Sequence, residues 1–530
     1  MTAIRMEDST NKRSCISFYF LLSVFTIVFI LAAFQLKFSV SQYAAIFIMM
    51  VIYEVWSLNR VNGLFAALVF EIIKPLLVRV CFNADYATGN LPEFDILGFA
   101  PSLILIFMIV SEISRAYFNR EIIFTDRPRR YVLFFIIVAI LSIFNPNGSI
   151  FVGMAGFQRN MLPTMLIMLL SASLFKTADD WERLKKLLSI VGIISIVYGL
   201  LQFTSGILPW EKLWFQKVAF KNDVAGWLTI GFRGIEFRIY SFFYSYAGFF
   251  YTNVLIFSVL YASSKPETPQ WIKIRKLYFL LWFAVLAVSM ERMASIMTLS
   301  AIVVISYFKG STHRKRNIVI ASIASISIIY GGLIALAPVL ESTGVTKLIR
   351  LAELANPLSA GSIEVRRNEI WAPAIDLIKS HPLGMGLGFG SATIAGGMVQ
   401  RWSVNVQPHN EILQKTLETG LIGGLVYCLL LISMLILFKE ISNTRGNLAN
   451  VGAGMMGGTV AFILCGMLNL TFSGTPGIIY WTLAGAALGL KDNAVSVCNI
   501  TKHNRETADK IQGRLMQDET IKSATITIDI

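Results

Sequence analysis

The segment 360–430 concentrates residues suited to holding an anion and moving a proton. The run IEVRRNEIWAPAIDLIKS, Ile363 to Ser380, sets Ile370, Trp371, Ala374, Leu377 and Ile378 at helical spacing, with Arg366, Arg367, Glu369 and Asp376 elsewhere around the barrel. That is the pattern of an amphipathic helix at a membrane surface. HPLGMGLGFG, His381 to Gly390, follows, and its four alternating glycines let the backbone turn freely and approach a ligand closely. It contains no GxGxxG after a soluble strand, which excludes a dinucleotide fingerprint. In QPHNEILQKTLETGLIGG, Gln407 to Gly424, Pro408 fixes the chain and Asn410 is placed to cap a helix running into the next apolar run. His409 then stands just outside a helix start, where exposed backbone N–H groups favour anions. His381, immediately before Pro382, reads as a turn residue rather than a base.

These residues need a scaffold, and composition says which kind. A chain of 530 residues with 55% hydrophobic residues, 15% charged residues and a mean hydropathy of +0.64 is too apolar for a soluble protein, which would carry about 25% charge. We expect an all-α integral membrane protein with about twelve to fourteen transmembrane helices and a large helical extracytoplasmic loop. The net charge of +14 does not indicate nucleic acid, because the lysines and arginines are scattered through short loops without interleaved aromatics. Cys15, Cys81, Cys428, Cys465 and Cys498 fall singly in or beside apolar runs, without metal spacing or a disulfide framework, and read as small packing residues.

About fourteen apolar runs qualify as spans, near 16–36, 42–58, 63–82, 96–113, 131–146, 161–175, 187–205, 241–263, 277–290, 293–308, 317–338, 419–438, 449–469 and 476–490. The stretch 277–308 reads either as two short spans turning at Glu291-Arg292 or as one longer span with a re-entrant piece. With the amino terminus inside, the even-numbered exits are RAYFNREIIFTDRPRR, KTADDWERLKK, KPETPQWIKIRK and KGSTHRKR, all basic, as cytoplasmic loops should be. Both termini are then cytoplasmic, and 83–95, 206–240 and the long segment from 340 to about 418 lie outside. The expected organisation is an N-terminal membrane bundle over 1–338, an extracytoplasmic loop over 339–418, C-terminal membrane helices over 419–490 and a polar cytoplasmic tail over 491–530. Within the early spans, Glu71 and Lys74 stand three apart on one helix face and should pair.

The order R-x-x-x-W, HPLGMGLG, then PHNEILQKTLETGLIGG resembles the signature of the O-antigen polymerase and O-antigen ligase superfamily of membrane glycosyltransferases. Upstream, Arg238 in RIYSFFYSYAGFFYTN and Arg292 in SMERMASIM look like the family's two arginines near the outer face, although Tyr-Ser-Phe-Phe-Tyr and Glu-Arg replace the runs often found there. The resemblance implies glycan transfer from a polyprenyl-pyrophosphate-linked oligosaccharide at the outer face of a bacterial inner membrane, with inversion at the anomeric carbon. It implies no cofactor and no metal, the lipid-linked glycan being a substrate. The other implied partners are membrane lipids, a flippase and a chain-length regulator, with no nucleic acid.

On that reading Arg238 and Arg292 stabilise the charge gathering on the departing pyrophosphate. His409 is a general base or a positioning donor. Arg367, first residue of R-x-x-x-W, binds phosphate or sugar, while Asn410 and Glu418 orient the helix beneath His409. Each residue also has a plainer role open to it. A histidine at a helix start is usually structural, Arg292 at a membrane boundary can simply snorkel, and Arg367 can solvate the polar face of its helix. Three functions remain: a polysaccharide polymerase, favoured; a ligase or protein O-oligosaccharyltransferase of the same superfamily; and a non-enzymatic transporter or flippase built on intramembrane charge.

Overall fold

The computed structural model describes residues 39–88, 96–118, 126–214, 217, 239–243, 245–263, 268–289, 291–342, 366–389 and 408–495. Among these residues there is no strand, and sixteen α-helices follow one another: α1 (Val40–Leu58), α2 (Arg60–Thr88), α3 (Ile96–Phe118), α4 (Arg127–Ile143), α5 (Ile150–Gly156), α6 (Leu162–Leu174), α7 (Ala178–Ser205), α8 (Pro209–Trp214), α9 (Tyr246–Ala262), α10 (Pro269–Ser289), α11 (Arg292–Lys309), α12 (Thr312–Ser342), α13 (Ala372–Ser380), α14 (Glu411–Ser442), α15 (Asn447–Gly466) and α16 (474–495). Every expected span from 42–58 onward coincides with one of them; the first, 16–36, lies outside the described residues. The segment 277–308 is two helices, α10 and α11, with Glu291 at the N-cap position of the second but making no side-chain capping bond.

Six described helices are long and apolar enough to cross a membrane, in α1, α3, α7, α11, α14 and α15. Their outward faces carry apolar side chains that water would not tolerate in such number, Phe47 being 63% and Leu425 62% exposed. Lipid is the solvent that satisfies both the faces and the internally bonded backbone. The protein is an all-α, multi-pass integral membrane protein.

The chain divides into two compact units. Unit 1 holds α1, α2 and α8. Asp85, near the end of α2, accepts from the backbone N–H groups of Val40 and Ser41, capping α1 from its neighbour. Arg79 of α2 is buried and donates to Glu211 of α8 at 2.6 Å and to the Phe243 carbonyl at 3.0 Å, while Gln202 donates to the second Glu211 oxygen at 3.0 Å. A buried ion pair is tolerable only when its remaining polar atoms are met in this way. Lys74 and Glu71 are paired at 3.0 Å, as their spacing predicts. Both charges are thereby neutralised within one helix.

In unit 2, α15 is the central element, packed against α9, α11 and α14, with α4 lying on α14. Small residues permit the close approach: a Cβ on Gly452 would fall 2.3 Å from the Ser442 nitrogen, and one on Gly457 2.6 Å from Ile305. The cysteines behave as small packing residues, Cys81 and Cys465 being buried and Cys428 half-buried; Cys15 and Cys498 lie outside the described residues.

Candidate active site

Pro408, His409 and Asn410 lead into α14, and the residues on either side of His409 are fixed by different partners. The Pro408 carbonyl accepts from Trp371 Nε1 at 2.8 Å. Asn410 is the N-cap: its side-chain oxygen accepts from the Leu413 N–H at 2.9 Å, and its amide nitrogen donates to the Met467 carbonyl at 2.9 Å. Between them His409 takes φ +47°, a left-handed conformation that a non-glycine residue adopts at a cost of about 1–3 kcal/mol. Such strain persists only where the surroundings over-determine it, as the anchors on both neighbours do here.

The other side of the site is built from the chain that joins α15 to α16. Arg366 donates to the Leu468 carbonyl at 2.9 Å, and Asn469 donates to the Tyr251 hydroxyl of α9 at 2.7 Å. Glu411, the first residue of α14 and buried, accepts from the N–H groups of Thr471 at 2.9 Å and Phe472 at 3.3 Å, and faces Lys415 at 3.6 Å. Glu291, adjacent to Arg292 at the start of α11, lies within electrostatic range of Tyr251 and Cys465, and so do Arg366 and Glu411 of Cys465. The starts of α9, α11 and α14, the end of α15 and the Arg366–Trp371 turn thus meet at one end of the unit.

His409 is half-buried there. Burial first, and then the nearby Arg366 guanidinium, hold its imidazole down at about pKa 4. At neutral pH the ring is uncharged and able to accept a proton.

The glycine-rich run docks further along the same helix, at Leu417–Leu421. Gly384, Gly386 and Gly388 all have positive φ. Their close approach is to the protein's own backbone: a Cβ on Gly384 would lie 2.6 Å from the Gly420 nitrogen. Gly420 itself has φ +76° and ψ 180°, which breaks α14 just after Thr419. The freed groups are met across the contact, Met385 N–H donating to the Leu417 carbonyl at 2.8 Å and Leu421 N–H to the Pro382 carbonyl at 2.9 Å. Asn145, just past α4, holds the run with bonds to the Leu383 carbonyl at 3.1 Å and the Gly384 carbonyl at 3.0 Å. Ile378, Met385 and Leu417 form the small apolar core beneath. Gly420→Ala should therefore meet both a left-handed backbone and a Cβ 2.6 Å from the Leu383 carbonyl carbon. The expected loss is about 2–4 kcal/mol, seen as a lower Tm of the detergent-solubilised protein, against no loss for Gly331→Ala, which has open space around it.

Of the residues selected by sequence, His409, Asn410 and the neighbourhood of Arg292 are brought together. Arg292 is half-buried at the first position of α11. Glu418 is buried along the first part of α14, accepting from Gln414 at 3.1 Å. Arg238 lies outside the described residues. Arg367 is exposed and donates to the neighbouring Asn368 side chain at 3.1 Å, while Arg366 turns inward. Sequence reading passed over Arg366, Glu411 and the 467–473 chain; the adjacent arginine pair and an acidic residue directly after the cap were the available signals.

This helical scaffold, with its polar end gathered around a histidine at a helix start, defines a polytopic membrane protein with a built site. Residues 277–428 match the family model described as O-antigen ligase, a span that includes α11, Arg366, His409 and the Gly420 break. Over that span the chain is similar to the O-antigen ligase and polymerase superfamily, whose members are membrane glycosyltransferase-like enzymes. No curated protein matches the sequence.

Proposed function

We propose that the protein is a polysaccharide polymerase, transferring a polyprenyl-pyrophosphate-linked glycan to a lipid-linked repeat unit at the outer face of a bacterial inner membrane. The observation that carries this reading is His409, held neutral and strained at the start of α14 beside Arg366. The acceptor hydroxyl gives its proton to His409 as its oxygen attacks the anomeric carbon. The bond from that carbon to the phosphate oxygen breaks, its electron pair leaving with the polyprenyl pyrophosphate and the configuration inverting. Arg292, Arg366 and Arg238 stabilise the charge that gathers on the leaving group, because a fixed guanidinium in a poorly hydrated site acts most strongly where charge develops. A pyrophosphate bound at Arg366 also offsets the guanidinium that depresses His409, making the imidazole a stronger base in the donor complex than in the free enzyme. No cofactor is assigned, since the glycan arrives activated.

The basic loops KTADDWERLKK and KGSTHRKR support a cytoplasmic position for the ends opposite the site, and with them for both termini. A flippase supplying the lipid-linked unit and a chain-length regulator are the partners this reading implies.

The description of the matching family model favours a second reading, a ligase that hands the finished glycan to another acceptor. Analysis of carrier-linked intermediates in a host lacking the gene separates the two. Accumulation of single lipid-linked repeats supports the polymerase, full-length lipid-linked polymer supports the ligase, and unchanged surface glycan defeats both. Within the site, Arg366→Ala should lower transfer about 10²-fold, the scale of removing one charge-stabilising donor. Arg367→Ala, changing an exposed side chain, should stay within about twofold. Radiolabelled glycan transfer in membranes with matched protein levels would show the two effects reversed if the sequence-based choice of Arg367 were right.

A further inference from the structure

Unit 2 has a polar concavity, of about 380 Å³, where the start of α7, the end of α9, the start of α15 and the end of α16 come together. It is lined by Lys176, Lys185, Glu182, Asn447 and Asn493, with Trp181, Val259 and Leu490 forming an apolar wall. The volume falls in the range of about 300–1,000 Å³ typical of ligand pockets. Its place in the fold is distinctive. Asn447 and Met467 mark opposite ends of α15, a helix of 20 residues, so roughly 30 Å separates this cavity from His409. That is the thickness of a bilayer's hydrocarbon core, which puts the cavity at the other membrane face.

We infer that this cavity holds a phosphate group at that face, the phosphodiester of an anionic phospholipid headgroup, with Lys176 and Lys185 as its cationic contacts. Lys185 is 5% exposed, an expensive place for an ammonium group unless its charge is answered. Glu182 answers it at 2.6 Å with a side chain that is itself about one-third exposed, and Lys176 donates to the Ala172 carbonyl at 3.3 Å. With Lys176 at the rim, the cavity keeps an excess of one positive charge. Asn447 opens α15, whose cap, Gly446, provides no side-chain bond and whose first turn has no acidic residue, so the positive end of that helix faces the same space. The mixture of polar floor and apolar wall suits a group that is charged at one end and continues as hydrocarbon at the other. Basic pockets between helices at the cytoplasmic face recognise lipid headgroups by this chemistry.

The full-length protein in mild detergent, stripped of lipid and then given phosphatidylglycerol or phosphatidylcholine, tests the inference by native mass spectrometry. Wild type should retain phosphatidylglycerol in preference to phosphatidylcholine, less so at high salt, and Lys176→Gln with Lys185→Gln should weaken retention about thirtyfold. Glu182→Gln should act in the opposite direction and strengthen it, which a merely structural Glu182–Lys185 pair would not do. Lys176→Gln alone, at an exposed position, serves if the double variant fails to fold. Stabilisation by inorganic phosphate without discrimination between the lipids overturns the lipid assignment and leaves a soluble phosphate as the ligand. Equal retention of both lipids in every variant, with no phosphate effect, overturns the site.

Discussion

His409→Ala should reduce glycan transfer by about 10²–10⁴-fold, the usual contribution of a positioned general base, at an unchanged membrane level of protein. The histidine's backbone provides the control that separates chemistry from architecture. At φ +47° a glycine would relieve strain, so His409→Gly should fold at least as well as wild type and transfer no better than His409→Ala. Recovery of activity in the glycine variant would mean that the position matters for its turn alone. The pH dependence has a definite sign. Since the folded imidazole sits at about 4, below its ordinary 6.5, the free enzyme should show no histidine step near pH 6–7, and its kcat/KM should fall only as pH drops toward 4. Stability moves the same way: between about 6.5 and 4 the unfolded chain binds the proton and the folded chain does not, so His409's contribution is present above that window and lost on acidification through it.

Glu411→Ala should be the most destabilising single change near the site, by about 3–5 kcal/mol, and should appear as loss of folded protein before any measure of turnover. The carboxylate is 1% exposed and receives two backbone N–H groups from the 467–473 chain, with Tyr427 and Ser473 at 3.4 Å and Lys415 at 3.6 Å. Deleting it strands those donors and leaves the buried Lys415 charge unanswered. Glu411→Gln keeps the shape and one acceptor and should lose less. Adding Lys415→Met to Glu411→Gln should recover part of the loss, a positive coupling readable from thermal unfolding by fluorescence-detected size exclusion. Full wild-type stability of Glu411→Ala would remove Glu411 from its place as the anchor between α14 and the chain after α15.

Much of this architecture was legible in the linear sequence because it depends on local or averaged properties. Hydropathy alone specifies the membrane solvent and the position of each described span, since a lipid-embedded backbone has little choice but helix. Asn410 announces its cap through its type and place before Glu411-Ile412-Leu413, and Glu71 and Lys74 announce their pairing through a spacing of three. The alternating glycines announce positive φ, as found at Gly384, Gly386 and Gly388.

What only the tertiary structure decided is which groups face His409. Arg366 and Arg367 are neighbours of one type, and an α-helical phase cannot choose between them. The segment Arg366–Trp371 instead forms a π-turn, whose i to i+5 bonding widens the spacing and rotates each side chain off the α-helical phase, so Arg366 points inward and Arg367 outward. Glu411 gains its role from Thr471 and Phe472, and the strain at His409 comes from Trp371 and Met467, all more than thirty-five residues away in sequence. Those contacts exist only once α9, α11, α14 and α15 have packed, because the small residues that let helices approach fix the distance between their polar ends, and no local pattern carries that distance.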